Sequence, residues 1–194
     1  VERETLTNLE VGVKGTYLDG RLSLRAALFR MDRDDAQLES WVWDSVNFLW
    51  IGFLDNVNGD NSGFEAELAF EINPRLTLFG SFGLLDANVD EITTFDLDLG
   101  DFVARHDIDQ AKSPPWQYNL GADWSFAARW AARLEIEGRD ESRYGYYHNG
   151  TLESFSVVNG RVSYSLGDTE IALWGRNLMD EDYAVHGLYF GNDP

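Results

Sequence analysis

Apolar and polar side chains alternate along several segments of the chain. In the clearest one, residues 64–72, every even position is apolar and the odd positions hold three glutamates and an alanine. A period of two places apolar side chains on one face of a β-strand and polar side chains on the other. The pattern therefore predicts strands with one apolar and one polar face.

The same alternation predicts an all-β fold of about eight antiparallel strands that run up and down in four hairpins. The predicted strands are residues 9–18, 21–34, 62–72, 75–86, 115–126, 130–139, 154–166 and 169–176. Turn-forming residues join the two strands of each hairpin: Asp19-Gly20, Asn73-Pro74, Ala127-Ala128 and Gly167-Asp168. Long polar connections are predicted at residues 35–61, 87–113, 140–152 and from 177 to the end.

The predicted connections differ between the two ends of the sheet. All tight turns fall at one end and all long connections at the other, which is typical of a transmembrane β-barrel of the outer-membrane type. In such a barrel the apolar face contacts lipid and the polar face lines a wet interior. We predict an aromatic girdle at the membrane interface beside a tight turn. Its members are Trp116, Trp124, Phe126 and Trp130.

Alternating strands also occur in soluble proteins. In a β-sandwich the two apolar faces pack on each other and the loops at one edge bind the ligand. A soluble module that binds a ligand or a glycan therefore remains the alternative to the barrel.

Composition removes several classes of function. Among 194 residues there are 34 Asp and Glu against 15 Lys and Arg, a net charge of −19. Such a surface repels nucleic acid, so no nucleic-acid partner is expected. The chain has no cysteine, which excludes disulfides, Cys-ligated zinc and thiol catalysis.

Neither a metal site nor an active site is predicted. His106, His148 and His186 all fall in predicted connections, with no sign that three ligands converge, and we expect no metal and no cofactor. Glu135 and Glu137 share one strand face at nearly the spacing of a retaining glycosidase pair. Their neighbours, Arg133 and Arg139, favour a salt-bridged row on a wet wall. We therefore predict no enzymatic activity, with a β-rich hydrolase as a further alternative.

Aromatic residues in the long connections are the best candidates for ligand contact. Exposed rings in a loop are suited to ligand capture. An equally simple interpretation is that these rings anchor the outer rim of a barrel in the membrane interface. The candidates are Trp41, Trp43, Trp50, Tyr144, Tyr146 and Tyr147.

The sequence near the C-terminal end resembles a known family. Residues 177–183, Asn-Leu-Met-Asp-Glu-Asp-Tyr, resemble the Asn-Leu-x-Asp-x-x-Tyr signature of TonB-dependent receptors, where it follows the penultimate barrel strand. Residues 8–14 are similar to the family's Asn-x-Glu-x-Gly-x-Lys strand, and residues 63–65 to its Gly-x-Glu strand. The motif residues, to which we assign a structural role, are Asn177, Leu178, Asp180 and Tyr183.

The resemblance implies active transport across the bacterial outer membrane. Family members take up a scarce ligand such as a ferric siderophore, with energy delivered by the TonB complex. Their barrel has about 22 strands and holds a plug. We expect residues 1–194 to be a partial C-terminal barrel domain without the plug domain and the final strand. The implied partners are TonB through the plug, a small-molecule ligand and outer-membrane lipid.

Overall fold

The computed structural model describes residues 2–44, 46–96, 99–146 and 148–187, without the side chains of residues 40–43, 50 and 53. The fold is all-β, as predicted. The strands are β1 (Thr5–Tyr17), β2 (Leu22–Asp44), β3 (Leu49–Asn73), β4 (Leu76–Asp96), β5 (Asp101–Asp109), β6 (Trp116–Ala127), β7 (Trp130–Arg139), β8 (Ser142–Arg143), β9 (Thr151–Leu152), β10 (Phe155–Leu166) and β11 (Thr169–Gly175). Among the described residues, no helix is long and apolar enough to span a bilayer.

One antiparallel sheet contains nine of these strands. Its order is β1-β2-β3-β4-β6-β7-β10-β11. β4 pairs with β6 through residues 76–84 and with β5 through residues 88–96. The eight strands of this path correspond to the eight predicted strands. The sheet does not close on itself in the described part of the chain, because β1 and β11 each pair along a single edge.

The prediction of a long loop at residues 35–61 is wrong. β2 continues to Asp44 and β3 begins at Leu49, so the two strands extend beyond their predicted ends and form one long hairpin. The register shifts between Arg33 and Ala36, where Asp35 has a φ of 57°. This bulge interrupts the period of two, and the Asp and Asn residues around it have low strand propensity. The sequence therefore gave no strand signal here.

The loop predicted at residues 87–113 is also largely strand. β4 runs on to Asp96 and returns as β5, while the short strands β8 and β9 pair within the connection predicted at residues 140–152. We call residues 35–59 the β2–β3 arm and residues 87–109 the β4–β5 arm. The rest of the eight-stranded path, between the arms and the tight turns, is called the wall.

The wall and the arms bury their apolar side chains differently. Wall residues such as Leu28, Leu134 and Leu173 are 60%, 58% and 80% exposed, and no second sheet covers them in the described residues. The arms instead have a small buried core, formed by Ala36, Val57, Val89 and Ile92 with Leu38, Ile108 and Tyr146 packed against it. A β-sandwich would cover the apolar face of the wall, so the sandwich alternative is contradicted. An uncovered face of this extent marks an interaction surface, as expected for contact with lipid.

Three of the four residues predicted to form the girdle lie together beside a tight turn. Trp124, Phe126 and Trp130 form a continuous strip beside the β6–β7 turn, with ring centroids 5.3 and 6.3 Å apart, and Tyr164 extends it at 4.8 Å from Trp130. Trp116 lies at the opposite end of β6, because it is the first residue of a 12-residue strand. There it stacks on Tyr118 at 5.7 Å.

Candidate functional site

The polar face of the wall is concave and borders a space of about 1080 Å³. The strand register places one polar residue from each of six neighbouring strands in a single row across it. The row consists of Lys14, Arg25, Glu67, Ser81, Asn119 and Glu137. The register shows that these six residues are adjacent, which the sequence does not reveal.

Hydrogen bonds link the polar side chains of the concave face. Arg25 lies 3.3 Å from a carboxylate oxygen of Glu67. Asn119 donates to Glu135 at 2.7 Å, and Arg133 donates to the other oxygen of Glu135 at 3.1 Å. These bonds hold the side chains of the concave face in place. The concave face therefore has the chemistry of a barrel interior.

The carboxylates of Glu135 and Glu137 are hydrogen-bond acceptors in this network. Glu137 accepts from the side-chain amide of Asn159 at 3.0 Å. The predicted contact between Arg133 and Glu135 is present, whereas Arg139 instead donates to the carbonyl of Ala184 at 3.2 Å. Each carboxylate has a fixed structural partner, which fits a wall better than an acid–nucleophile pair.

A smaller concavity of about 310 Å³ lies between β7, β10 and β11. Three arginines line it, Arg133, Arg161 and Arg176, together with Trp174. Arg161 is paired with the carboxylate of Glu170. Glu135 also lines it and is paired with Arg133, so Arg176 is the lining arginine for which the described residues show no ion pair.

The three candidate tryptophans lie on the β2–β3 arm. Trp41 and Trp43 belong to β2 and Trp50 to β3, and Trp43 is directly opposite Trp50 in the strand register. Their side chains lie outside the described residues. The backbone nevertheless brings all three to the outer end of one arm, which the sequence prediction of a loop did not show. Their role in ligand contact stays a prediction.

The candidate tyrosines lie between β8 and β9. The Tyr146 hydroxyl accepts a hydrogen bond from the backbone N–H of Ala111 at 3.0 Å, and its carbonyl accepts one from the Thr94 hydroxyl at 3.0 Å. Burial raises the pKa of the Tyr146 hydroxyl above its usual value. Tyr146 thus links this connection to the arm core, while Tyr147 lies outside the described residues.

Tyr144 and the histidines have different surroundings. The Tyr144 ring lies 4.3 Å from the ring of His148, which is buried and accepts a hydrogen bond from the Gly150 N–H at 2.7 Å. His106 lies 3.6 Å from Glu91 in the exposed part of the β4–β5 arm, and His186 follows β11. Within the described ranges, no three His, Cys, Asp or Glu side chains come together as a metal site.

The motif residue Asn177 ends β11. Its φ of 48° is incompatible with a continuing strand, and its N–H donates to the side-chain carbonyl of Asn159 at 3.0 Å. Its side-chain amide donates to the Glu181 carbonyl at 2.8 Å and accepts from the Glu181 N–H at 2.9 Å. One asparagine therefore both stops the strand and closes the turn that follows.

The remaining motif residues fasten this turn to β10. The Leu178 side chain packs where Gly160 and Gly175 lack a Cβ, and its N–H donates to the Val158 carbonyl at 2.8 Å. The Tyr183 ring stacks on Phe155 at 4.3 Å. Asp180 has a φ of 56°, and its N–H donates to the Asn177 carbonyl at 3.1 Å. Sequence reasoning identified the motif but not these partners on β10, which no local pattern reveals.

Known proteins share this fold. A family model described as "TonB dependent receptor-like, beta-barrel" matches residues 2–178. The ferric-pyoverdine M114 receptor PbuA of Pseudomonas sp. (strain M114) is 28% identical over 186 residues, which cover 90% of this chain and 21% of the receptor.

Solved structures show the same arrangement. The siderophore receptor PiuA from Acinetobacter baumannii superposes with a TM-score of 0.74 at 16% identity, over 92% of this chain and 25% of that one. The ferric yersiniabactin uptake receptor FyuA from Yersinia pestis superposes with a TM-score of 0.73 at 18% identity, over 97% and 27%. The chain thus spans about a quarter or less of the length of these relatives.

Proposed function

The chain belongs to the TonB-dependent receptor-like β-barrel family, and we propose that it forms part of the barrel of an active transporter in the bacterial outer membrane. The observation that carries this proposal is the two-faced wall, with an uncovered apolar face and a concave, hydrogen-bonded polar face. In this proposal the apolar face contacts outer-membrane lipid. The chain contributes transport rather than catalysis.

The proposed ligand is a ferric siderophore. Support comes from the relatives, which include receptors for ferric pyoverdine and for ferric yersiniabactin. Energy for import is proposed to come from TonB, acting on a plug region elsewhere in the whole receptor. The acidic surface of this chain suits a ligand that is held by aromatic and neutral polar contacts rather than by charge attraction alone.

We assign first contact with the ligand to the outer end of the β2–β3 arm, with Tyr144 and Tyr147 as neighbouring candidates. The backbones of Trp41, Trp43 and Trp50 lie there, and Trp43 is opposite Trp50 in the strand register. Tyr146 contributes by holding the connection between β8 and β9 against the arm core.

Uptake by the full-length receptor tests the transport proposal. Cells that carry it as their sole siderophore receptor are given ⁵⁵Fe bound to pyoverdine, yersiniabactin or a catecholate. Accumulation of at least one complex, abolished when tonB is deleted, supports the proposal. Equal accumulation with and without TonB contradicts it.

Tryptophan substitutions test the contact assignment separately. In the full-length receptor, Trp43→Ala with Trp50→Ala is expected to weaken binding of the transported complex by about tenfold or more, since buried aromatic anchors dominate such contacts. Trp124→Phe, at the opposite end of the barrel, is the matched control and is expected to leave binding unchanged. If the arm variant binds as the wild type does, the contact assignment is wrong while the transport proposal stands.

A further inference from the structure

The tight-turn end of the wall carries arginines that have no acidic partner. Arg75 and Arg129 are exposed, and no carboxylate of the described residues forms an ion pair with either. Wall arginines such as Arg25, Arg133 and Arg161 each pair with a carboxylate.

These two arginines lie at neighbouring turns. The β3–β4 turn holds Arg75 and the β6–β7 turn holds Arg129, and β4 pairs directly with β6. The tight-turn acids Asp19 and Asp168 belong to the first and fourth turns of the chain. Each of the two middle turns therefore carries one arginine and no acidic residue.

The aromatic strip lies between and beside these arginines. Arg129 donates to the hydroxyl of Tyr164 at 3.3 Å, and Trp130 lies 4.8 Å from the same tyrosine ring. Trp124 is 53% exposed and is opposite Leu76, the residue that follows Arg75. We call Arg75, Trp124, Phe126, Arg129, Trp130 and Tyr164 the turn patch.

We propose that the turn patch binds the headgroup of an anionic phospholipid. The rings face the same side as the uncovered apolar residues of the wall, where acyl chains are in contact with the protein. A guanidinium at the level of the rings is placed to bind phosphate with two parallel N–H donors. Tyr164 orients Arg129 through its hydroxyl, and Arg75 adds the second positive charge. This surface is separate from the ligand-contact arm at the other end of the barrel.

Lipid binding by the full-length receptor tests the proposal. The purified receptor is titrated in detergent with phosphatidylglycerol or phosphatidylethanolamine, and bound lipid is counted by native mass spectrometry. The wild type is expected to prefer phosphatidylglycerol. Arg129→Gln and Arg75→Gln are each expected to weaken that binding by about fivefold, the effect of one arginine at an anionic membrane surface.

Three controls make the result specific. Arg30→Gln removes an exposed arginine that is paired with Asp32 at 3.2 Å, away from the tight turns, and is expected to leave lipid binding unchanged. Arg129→Lys retains the charge but not the two parallel N–H donors, so it is expected to weaken phosphatidylglycerol binding less than Arg129→Gln does. Glycerol 1-phosphate in solution is expected not to compete, because it lacks the acyl chains that the rings contact.

The proposal is overturned if the wild type binds the two lipids equally, if the variant that lacks both Arg75 and Arg129 binds phosphatidylglycerol as the wild type does, or if Arg30→Gln shows an equal loss. Full competition by glycerol 1-phosphate also overturns it, since the site then binds a soluble anion. Uptake of the ferric ligand by Arg129→Gln is measured in parallel and is expected to persist, so failure of the lipid site is distinguished from failure of the transport proposal.

Discussion

Arg105 and Asp96 form an ion pair within the β4–β5 arm, with 2.5 Å between a guanidinium nitrogen and a carboxylate oxygen. Their side chains are only 13% and 6% exposed. Arg105 also donates to the side chain of Asn149 at 3.0 Å, which joins the arm to the connection between β8 and β9. The outer part of the protein is therefore fastened by a mostly buried charge pair, unlike the exposed pairs of the wall.

Removing one partner of this pair is expected to destabilise the arm. Arg105→Gln leaves the Asp96 carboxylate buried without its cation, at a cost of about 3 kcal/mol. Limited proteolysis of the full-length receptor is expected to cut the β4–β5 arm faster, by a factor of roughly one hundred if cleavage follows local opening. Arg25→Gln, which breaks an exposed pair, is the control and is expected to change little. Unchanged cleavage of the arm in Arg105→Gln contradicts the assignment.

Tyr146 is expected to couple the stability of the arm core to alkaline pH. Burial raises the pKa of its hydroxyl in the folded state, so the neutral hydroxyl is favoured there. The resulting stabilisation is fully present below pH 10, which is about the pKa of the hydroxyl in the unfolded chain. It is lost as pH rises through the pKa of the hydroxyl in the folded protein. The absorbance at 295 nm, taken as wild type minus Tyr146→Phe, is expected to titrate above pH 10. If the absorbance difference instead titrates at or below pH 10, the Tyr146 hydroxyl is not buried as described.

Gly121 is expected to tolerate no side chain. A Cβ placed there comes within 2.2 Å of the Phe79 ring, on which the Arg133 guanidinium lies 4.1 Å from the centroid. Gly121→Ala must displace the ring and is expected to cost about 1–3 kcal/mol. Gly83→Ala is the matched control, because its Cβ meets only the Gln117 side chain at 3.5 Å. The urea midpoint of the refolded receptor measures both variants, and equal midpoints exclude this packing.

Asn177 is expected to hold the segment that follows β11 in place. Asn177→Ala removes both side-chain hydrogen bonds with Glu181. This is expected to lower the stability of the turn by about 1–2 kcal/mol in total. Hydrogen exchange at the Glu181 amide is expected to accelerate roughly tenfold. Asn177→Asp keeps the acceptor for the Glu181 N–H and is expected to give an intermediate rate. If both variants exchange as the wild type does, the motif does not fix this turn.

The wall was predictable from the sequence and the arms were not. In the wall the period of two continues over the whole length of residues 64–72 and 116–124. In the β2–β3 arm the bulge at Asp35 shifts the register and interrupts the alternation. Residues 55–60 are Asp, Asn, Val, Asn, Gly and Asp, so their composition does not indicate a strand.

The sequence predicts that one face of the wall is polar, but it does not predict how the polar side chains are arranged on that face. Alternation marks Glu67 and Asn119 as polar positions, yet their place in one row depends on two registers, β3 with β4 and β4 with β6, and the second joins strands that are not consecutive in the chain. Trp116 was assigned to the wrong end of β6 because a girdle was inferred from residue type without strand direction. Tyr146 was grouped with exposed rings because burial by the arm core is a tertiary effect.

The wall is expected to contact lipid with its apolar face and water with its concave, polar face. β7 offers the most direct measurement, because Leu134 and Ile136 alternate with Arg133, Glu135 and Glu137 over five consecutive residues. Single cysteines at these positions, in a cysteine-free full-length receptor reconstituted in liposomes, carry a spin label whose collisions with oxygen and with a water-soluble nickel complex are compared. We expect the collision rates to alternate with a period of two. Labels at positions 134 and 136 should collide more with oxygen, and labels at positions 133, 135 and 137 more with the nickel complex. Nickel access at both even positions, or no alternation, would contradict it.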